Sequence, residues 1–320
     1  MVIYPSDMTD GNHIRYLRRQ DLDSAAWDNC VGNSPTGLLY GQSFFLDAVT
    51  DGQWDALVMG DYQAVMPLTW NKKYGFTYLY QPHFVPVLGV FNQSRQPASL
   101  TDFLTAIPSH FRFWDIDCNE GNTLPTNPRL PIKATVRKNY WLPLNRPGQE
   151  IRKGYKRLTR RMLQRAAGLQ LDIVRGVEPD EVIDRFRMDY DRRLAHISAD
   201  VYQRITAVAR IAQARGHATT YLAKRSDGQV QAFYLVLKDE KFVYSMLGGS
   251  TEKGKENGAF YLLTDAAIQD HSGTDRTFRF EGSDLPGIAF FNAQFGSQPV
   301  PYSHLVLNKL PFPINLLKKK

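Results

Sequence analysis

The chain has 320 residues, 43% of them hydrophobic and 22% charged, which excludes a disordered polypeptide and fits an ordinary globular protein. A formal net charge of +7 favours anionic partners such as phosphates, nucleotides, tRNA or anionic lipid, without choosing among them. Cys30 and Cys118 are the two cysteines, too few for a disulfide framework and without the CxxC spacing of a zinc site, so reduced thiols in a cytoplasmic protein are expected.

The length predicts two domains, large enough to bury their cores without staples. No apolar signal-length segment follows Met1, and no run of ~18 apolar residues occurs, so no membrane-spanning segment is expected. Histidines stand at 13, 83, 110, 196, 217, 271 and 304 with no ligand spacing, and no metal site is expected.

In chain order, residues 21–31 and 43–50 read as helices. Trp54 to Gly60 and Tyr62 to Leu68, rich in β-formers around a short turn at Asp61, predict an antiparallel hairpin. Segments 75–80 and 84–90 read as extended, 98–107 as a helix, and Phe111 to Asp117 as a strand. The stretch 119–131 carries Gly121, Pro125, Pro128 and Pro131 and is a loop at a candidate domain boundary. Domains of 1–138 and 139–320 follow.

The second half starts with the strand Tyr140 to Leu144 and one helix over 149–167. A strand at 169–175 and a helix entered at Glu178-Pro179-Asp180 follow. That helix carries Val182, Phe186 and Tyr190 on one stripe. The helix 200–215 presents Val201, Ile205, Val208 and Ala212 on one face and stops at Gly216. Then come a hairpin turning at Ser226-Asp227-Gly228, a strand from Phe242, a helix over 258–271 and the strand 278–283. The helix 286–294 follows, with Ser283 or Asp284 as an alternative N-cap role. In each half a hairpin turn precedes a strand opening Phe-Arg-Phe, at 111–113 and 278–280. That similarity at an offset of about 165 residues points to two copies of one domain rather than a solenoid.

Three constellations carry candidate chemistry. The first is the glycine-rich connection Gly248, Gly249, Ser250, Thr251, Glu252, Lys253, Gly254, Lys255, Glu256, Asn257, Gly258, Ala259. Glycines admit a ligand close to the backbone, and the following helix start offers free amides and a positive dipole end to a phosphate. The spacing is neither GxxxxGK[ST] nor GxGxxG, and a plain connection is the alternative. The second is the basic segment 151–165, with Arg152, Lys156, Arg160 and Arg161 as candidate anion ligands and Tyr155, Leu158 and Met162 spaced to face a core. A solvated face is its alternative. The third is the strand end Glu281-Gly282-Ser283-Asp284: Glu281 is a candidate base for an attacking amine and Ser283 a candidate to orient the carbonyl.

The order of these elements resembles the FemAB branch of the GNAT superfamily of bacteria. It rests on the Arg-rich helix ending Arg161 to Leu169, on Tyr244 to Ser250, Tyr261 to Ile268 and Phe278 to Ser283, and on Gly287 to Gly296. Ser43-Phe44-Phe45 and Gln81-Pro82 extend it to the first half. The resemblance implies an α/β fold of two tandem GNAT-like domains, each a mixed, mostly antiparallel sheet flanked by helices. It also implies an acyl donor lying where the strands 242–249 and 277–282 splay apart. In members that use acetyl-CoA the pyrophosphate sits at the next helix start, on 254–259 here; Lys255-x-x-Gly258-Ala259 lacks that motif's spacer. FemAB-type enzymes instead use aminoacyl-tRNA and act on a cell-wall precursor, often with a long helical arm that this sequence lacks. The expected activity is N-acyl transfer from acyl-CoA or aminoacyl-tRNA to an amine, with Glu281 or Tyr244 near that amine and no metal. The alternative is a GNAT-like module that binds RNA or another anionic ligand without chemistry.

Overall fold

The computed structural model describes residues 13–94, 98–123, 130–190, 197–282 and 284–317. The first half runs β1 (Ile14–Arg18), α1 (Ser24–Asn33), α2 (Ser43–Thr50), β2 (Trp54–Met59), β3 (Ala64–Lys73), β4 (Phe76–Tyr80), β5 (Phe91–Asn92), α3 (Leu100–Ala106) and β6 (Phe113–Cys118). The second continues with β7 (Lys133–Pro143), α4 (Gly148–Lys153), α5 (Arg157–Gly168), β8 (Asp172–Arg175), α6 (Pro179–Tyr190) and α7 (Ala199–Ala214). It closes with β9 (Ala218–Lys224), β10 (Val230–Lys238), β11 (Phe242–Ser250), α8 (Glu252–Asn257), α9 (Ala259–Asp270), β12 (Thr277–Arg279), α10 (Pro286–Ala293), β13 (Gln298–Asn308) and α11 (Ile314–Leu317).

Two compact units result: Met1–Val136 with Tyr302–Lys320, and Arg137–Pro301. In the first, strands lie in the order β1-β2-β3-β4-β6-β13, with β5 on β3. In the second the order is β8-β9-β10-β11-β12-β7. Every neighbouring pair within a unit is antiparallel except the fourth with the fifth: β4 with β6, and β11 with β12. The architecture therefore repeats strand for strand. The Phe-Arg-Phe tripeptides do not occupy equal places in it. Only Phe113 of the first lies in β6, whereas Phe278 and Arg279 of the second lie in β12.

The boundary expected at 138/139 needs one correction: Tyr302–Lys320 joins the first unit. Ser303 to Asn308 pair antiparallel with Cys118 to Phe113. Leu305 and Leu307, 0% and 1% exposed, pack there with Leu79, Trp114 and Ile116. The core of the second unit gathers Leu142, Val243, Leu263, Phe278, Phe280 and Phe295. The helix expected over 149–167 is broken into α4 and α5. Tyr155 between them is buried and donates to Asp265 (2.9 Å), and the Lys156 amide donates to the Gln294 carbonyl (2.8 Å). Extended structure expected at 84–90 is an irregular loop with a single bridge, Leu88 to Cys118. Residues 124–129 of the loop 119–131 lie outside the described residues.

Leu305→Ala should cost about 2–5 kcal/mol, as a filled core position does, read by urea unfolding monitored through first-unit tryptophans. A loss within about 0.5 kcal/mol, the size of an exposed-site effect, would contradict the placement of the C-terminal strand.

Candidate active site

The site is built on the edge of β11. This strand pairs with β10 from Val243 to Ser250, with one irregularity: Leu235 opposes Leu247 and Val236 opposes Ser245, so Met246 is the extra residue of a β-bulge. A bulge bends its strand and re-aims its peptide groups. On the other side β11 meets β12 in parallel at only three positions, Phe242 with Thr277, Val243 with Phe278 and Tyr244 with Arg279. Beyond Tyr244, β11 continues to Ser250 with no rung to β12. In a strand, alternate peptide groups point to opposite sides, so half of those over 245–249 face away from β10 into the gap.

The gap opens because the chain turns at the end of β12. The Phe280 amide still follows β7, donating to the Tyr140 carbonyl (3.0 Å). Glu281 and Gly282 then both take left-handed backbone, at φ +54° and +62°. Such a conformation suits glycine and costs a residue with a side chain about 1–2 kcal/mol. Hydrogen bonds hold Glu281 in it. Its amide donates to Asn139 Oδ1 (3.0 Å) and its carbonyl accepts from Asn292 Nδ2 (3.3 Å). Its carboxylate accepts from Asn139 Nδ2 on Oε2 (2.6 Å) and from Arg279 Nε on Oε1 (2.9 Å). Arg279 is 1% exposed, with its guanidinium carbon 5.0 Å from the Trp141 ring centre, 5.1 Å from Phe242 and 6.0 Å from Tyr244.

Glu281, Tyr244 and the open edge are thus brought together, but in other roles than those expected. Both carboxylate oxygens of Glu281 are engaged, which leaves it poorly placed as a free base. The Tyr244 hydroxyl donates to Asp239 in the β10–β11 turn, at the closed end of the strand pair. Ser283 lies outside the described residues. Its neighbour Asp284 pairs with Arg137 (3.2 Å).

In the connection 248–259 the glycines admit the protein's own atoms. A Cβ at Gly248 would lie 2.7 Å from the Phe260 ring, and one at Gly249 2.5 Å from Tyr190. One at Gly254 would fall 1.9 Å from the Gln231 carbonyl oxygen, and one at Gly258 2.5 Å from that of Met162. The Gly254 amide is taken by Thr251 Oγ1 (3.0 Å), and Asn257 Nδ2 donates to Gln231 Oε1 (3.0 Å). Ser250 sits in the β10 ladder, Ala259 is buried, Lys255 pairs with Glu252, and Lys253 is exposed. This corrects the reading of 254–259 as a phosphate cradle. The close approach that requires glycine is between α8, α5 and β10, and the residues present do not fit a pyrophosphate.

The basic segment divides in the same way. Arg152 forks onto Asp265 (3.0 and 2.6 Å), which holds the guanidinium firmly in its charged form. Burial, then the adjacent Asp265 charge, holds the Tyr155 hydroxyl well above the ordinary tyrosine range, so it remains a donor. Arg160 caps the Lys153 carbonyl (2.8 Å). Lys156, Arg157, Arg161 and Arg165 are exposed, the three arginines spaced i, i+4, i+8 along one line of α5. Beside the gap, Phe260 stacks on Phe291 of α10 (5.3 Å), and that helix exposes Ile288 and Phe290.

The equivalent gap of the first unit is filled. β4 and β6 share two parallel rungs, Leu79 with Trp114 and Tyr80 with Asp115. Gln81 then accepts from the Asp117 amide (3.0 Å) and donates to the Val85 carbonyl (2.8 Å), and the Leu88 amide donates to Asp117 O (2.9 Å). About 10 Å³ remains, room for about one water. A wider hollow of about 590 Å³ in that unit, lined by Arg18, Arg19, Asp47, Asp55 and Trp70 among others, is floored by an Arg19–Asp47 ion pair (2.6 Å). Among the described residues no cluster of His, Cys, Asp and Glu is arranged to hold a metal. Nor is any helix there long and apolar enough to cross a membrane.

Sequence reasoning missed Asn139 and the bulge at Met246, and placed Tyr190 on an apolar stripe without its contact to Gly249. Arg279 was legible in principle, as a cation two residues from Glu281 in an otherwise apolar run.

No family model and no curated protein matches the sequence. Solved structures do. FemX shares 12% identity at a TM-score of 0.63, over 96% of this chain and 100% of that one. L-PGS from Bacillus licheniformis shares 11% at 0.52, over 92% and 95%. A conserved protein of unknown function from Bacteroides thetaiotaomicron shares 9% at 0.56, over 93% and 100%. At these identities the likeness is one of fold: the chain has a FemAB-like, GNAT-type α/β fold.

Gly258→Ala should destabilise the protein by about 1–3 kcal/mol through overpacking against Met162, read from the urea midpoint. Unchanged stability with weakened phosphate binding would restore the cradle reading.

Proposed function

We propose that the protein is an N-acyltransferase that moves an aminoacyl group from tRNA to an amine acceptor, with the open edge of β11 as the reaction site. The observation that carries this reading is the three-rung parallel pair followed by a bulged strand edge that has no further rung to β12 among the described residues. Unpaired peptide groups there are oriented donors for a carbonyl oxygen that gains charge as the amine attacks. In the reaction the amine nitrogen bonds to the acyl carbon, the ester C–O bond breaks, and the amine proton passes to the departing hydroxyl. Holding both reactants in line supplies much of the rate. With Glu281 and Tyr244 engaged elsewhere, no base is assigned to either.

The choice of carrier rests on electrostatics. Arg157, Arg161 and Arg165 form an exposed cationic line without an acidic residue in the helix, which suits a phosphodiester backbone. A coenzyme A pyrophosphate would meet buried glycines at 254 and 258, packed against Gln231 and Met162, with the Gly254 amide already taken by Thr251. The similar structures support a transferase in the broad sense, one of them being the C-terminal domain of a putative lysylphosphatidylglycerol synthetase from Agrobacterium fabrum. The engagement of Glu281 also favours a second reading, a binding module for RNA without chemistry.

Charged tRNA should bind at low salt. Arg161→Ala should weaken it and reduce the slope of log K against log salt by about 0.7, the contribution of one single-strand phosphate contact. Calorimetry with acetyl-CoA should give no heat. Tight acetyl-CoA binding would reverse the choice of carrier. Charged-tRNA binding without transfer of a labelled aminoacyl group to any of a panel of amines would favour the binding module, and absent tRNA binding would sink both readings.

A further inference from the structure

From the geometry at the end of β12 we infer that Asn139, Arg279 and Glu281 form a latch that holds the acyl site open, so that Glu281 is a positioning residue and not the base. The consequence for catalysis rests on the proposed function; the latch itself rests on geometry alone.

An open strand edge is what a sheet ordinarily avoids, because its peptide groups seek partners. Here the means of closing it lie close by. β12 is in register with β11 through Tyr244 and Arg279, and the chain continues one residue further beside β7 before turning. An extended conformation at Glu281 and Gly282 would let the parallel ladder run on toward Ser245 and Leu247. Three elements oppose that closure. Asn139 on β7 takes the Glu281 amide and binds its carboxylate. Asn292 on α10 binds its carbonyl. Arg279 binds the carboxylate while its guanidinium lies against rings from β7 and β11.

A buried ion pair is a poor source of stability, since desolvation consumes most of its attraction. At 1% and 5% side-chain exposure, this pair contributes geometry: it fixes which residue turns left-handed and where β12 leaves β11. The filled gap of the first unit is consistent with this. There Gln81 and the loop after it take the place of an open edge, and Asp115, not an arginine, ends the parallel ladder.

The test is residue-resolved hydrogen exchange on the full chain, without any donor. Glu281→Ala removes the ties and leaves a side chain that disfavours left-handed backbone. Protection of the amides at 245–249 that face the gap should rise about tenfold, the population change produced by about 1.4 kcal/mol, while β9 and β10 are unchanged. Glu281→Gly removes the same carboxylate but retains the turn, and protection there should stay within about threefold of the parent protein. Asn139→Ala, which frees Glu281 without altering it, should act in the direction of the Ala variant and serves if that variant does not fold. The inference is overturned if the Ala, Gly and Asn139 variants all match the parent at 245–249. It is equally overturned if exchange accelerates together throughout β9 to β12, the signature of a group that only supports the core. Because no ligand enters the measurement, a failed tRNA assay leaves the latch standing, and a failed latch leaves the tRNA result standing.

Discussion

A guanidinium at the end of β12 and a carboxylate two residues beyond it, both withdrawn from water, decide where the second sheet stops being a sheet. Arg279 lies against aromatic rings and Glu281 is tied to Asn139. The chain between them and α10 must then turn left-handed at Glu281 and Gly282. Everything proposed for function lies downstream of that turn. Without it β12 would continue along β11, and the edge with its bulge at Met246 would be an ordinary interior strand.

The repeated architecture makes the point by contrast. Both units set six strands in one order with one parallel pair at the same place. A parallel pair that ends early leaves unsatisfied peptide groups, and the two copies resolve this differently. The first spends a glutamine side chain and its own loop on them. The second leaves them facing a gap rimmed by Phe260, Phe291 and the exposed residues of α10. One topology has thereby become a closed scaffold in one copy and a candidate site in the other. Strand order alone does not distinguish them; side chains do.

The elements legible in the sequence were those whose local pattern matches their burial. The hairpin around Asp61 and the strand from Phe242 are apolar runs buried almost throughout, and the helix carrying Val182 and Phe186 buries that stripe. β13 was not legible as part of the first unit, because its partner β6 is almost two hundred positions earlier in sequence. The glycines misled for a physical reason. A glycine marks a close approach to backbone but not what approaches, and at 254 and 258 it is Gln231 and Met162 rather than phosphate. Tyr155 was rightly read as core-facing, yet its hydroxyl and the Arg152 fork converge on Asp265, far along the chain. The hydrogen bonds of Glu281 were not legible, since its partner Asn139 is 142 positions away.

Direct capture of the reacting carbon tests the central claim that acyl transfer occurs at the open edge of β11. An RNA hairpin bearing an amide-linked aminoacyl group with a diazirine on its side chain would be irradiated with the protein and the labelled peptides mapped. Label concentrated on residues 245–250 and on the α10 residues beside them is the result predicted. Label confined to the first unit, or to the surface of α8 and α9 with 245–250 untouched, would contradict it.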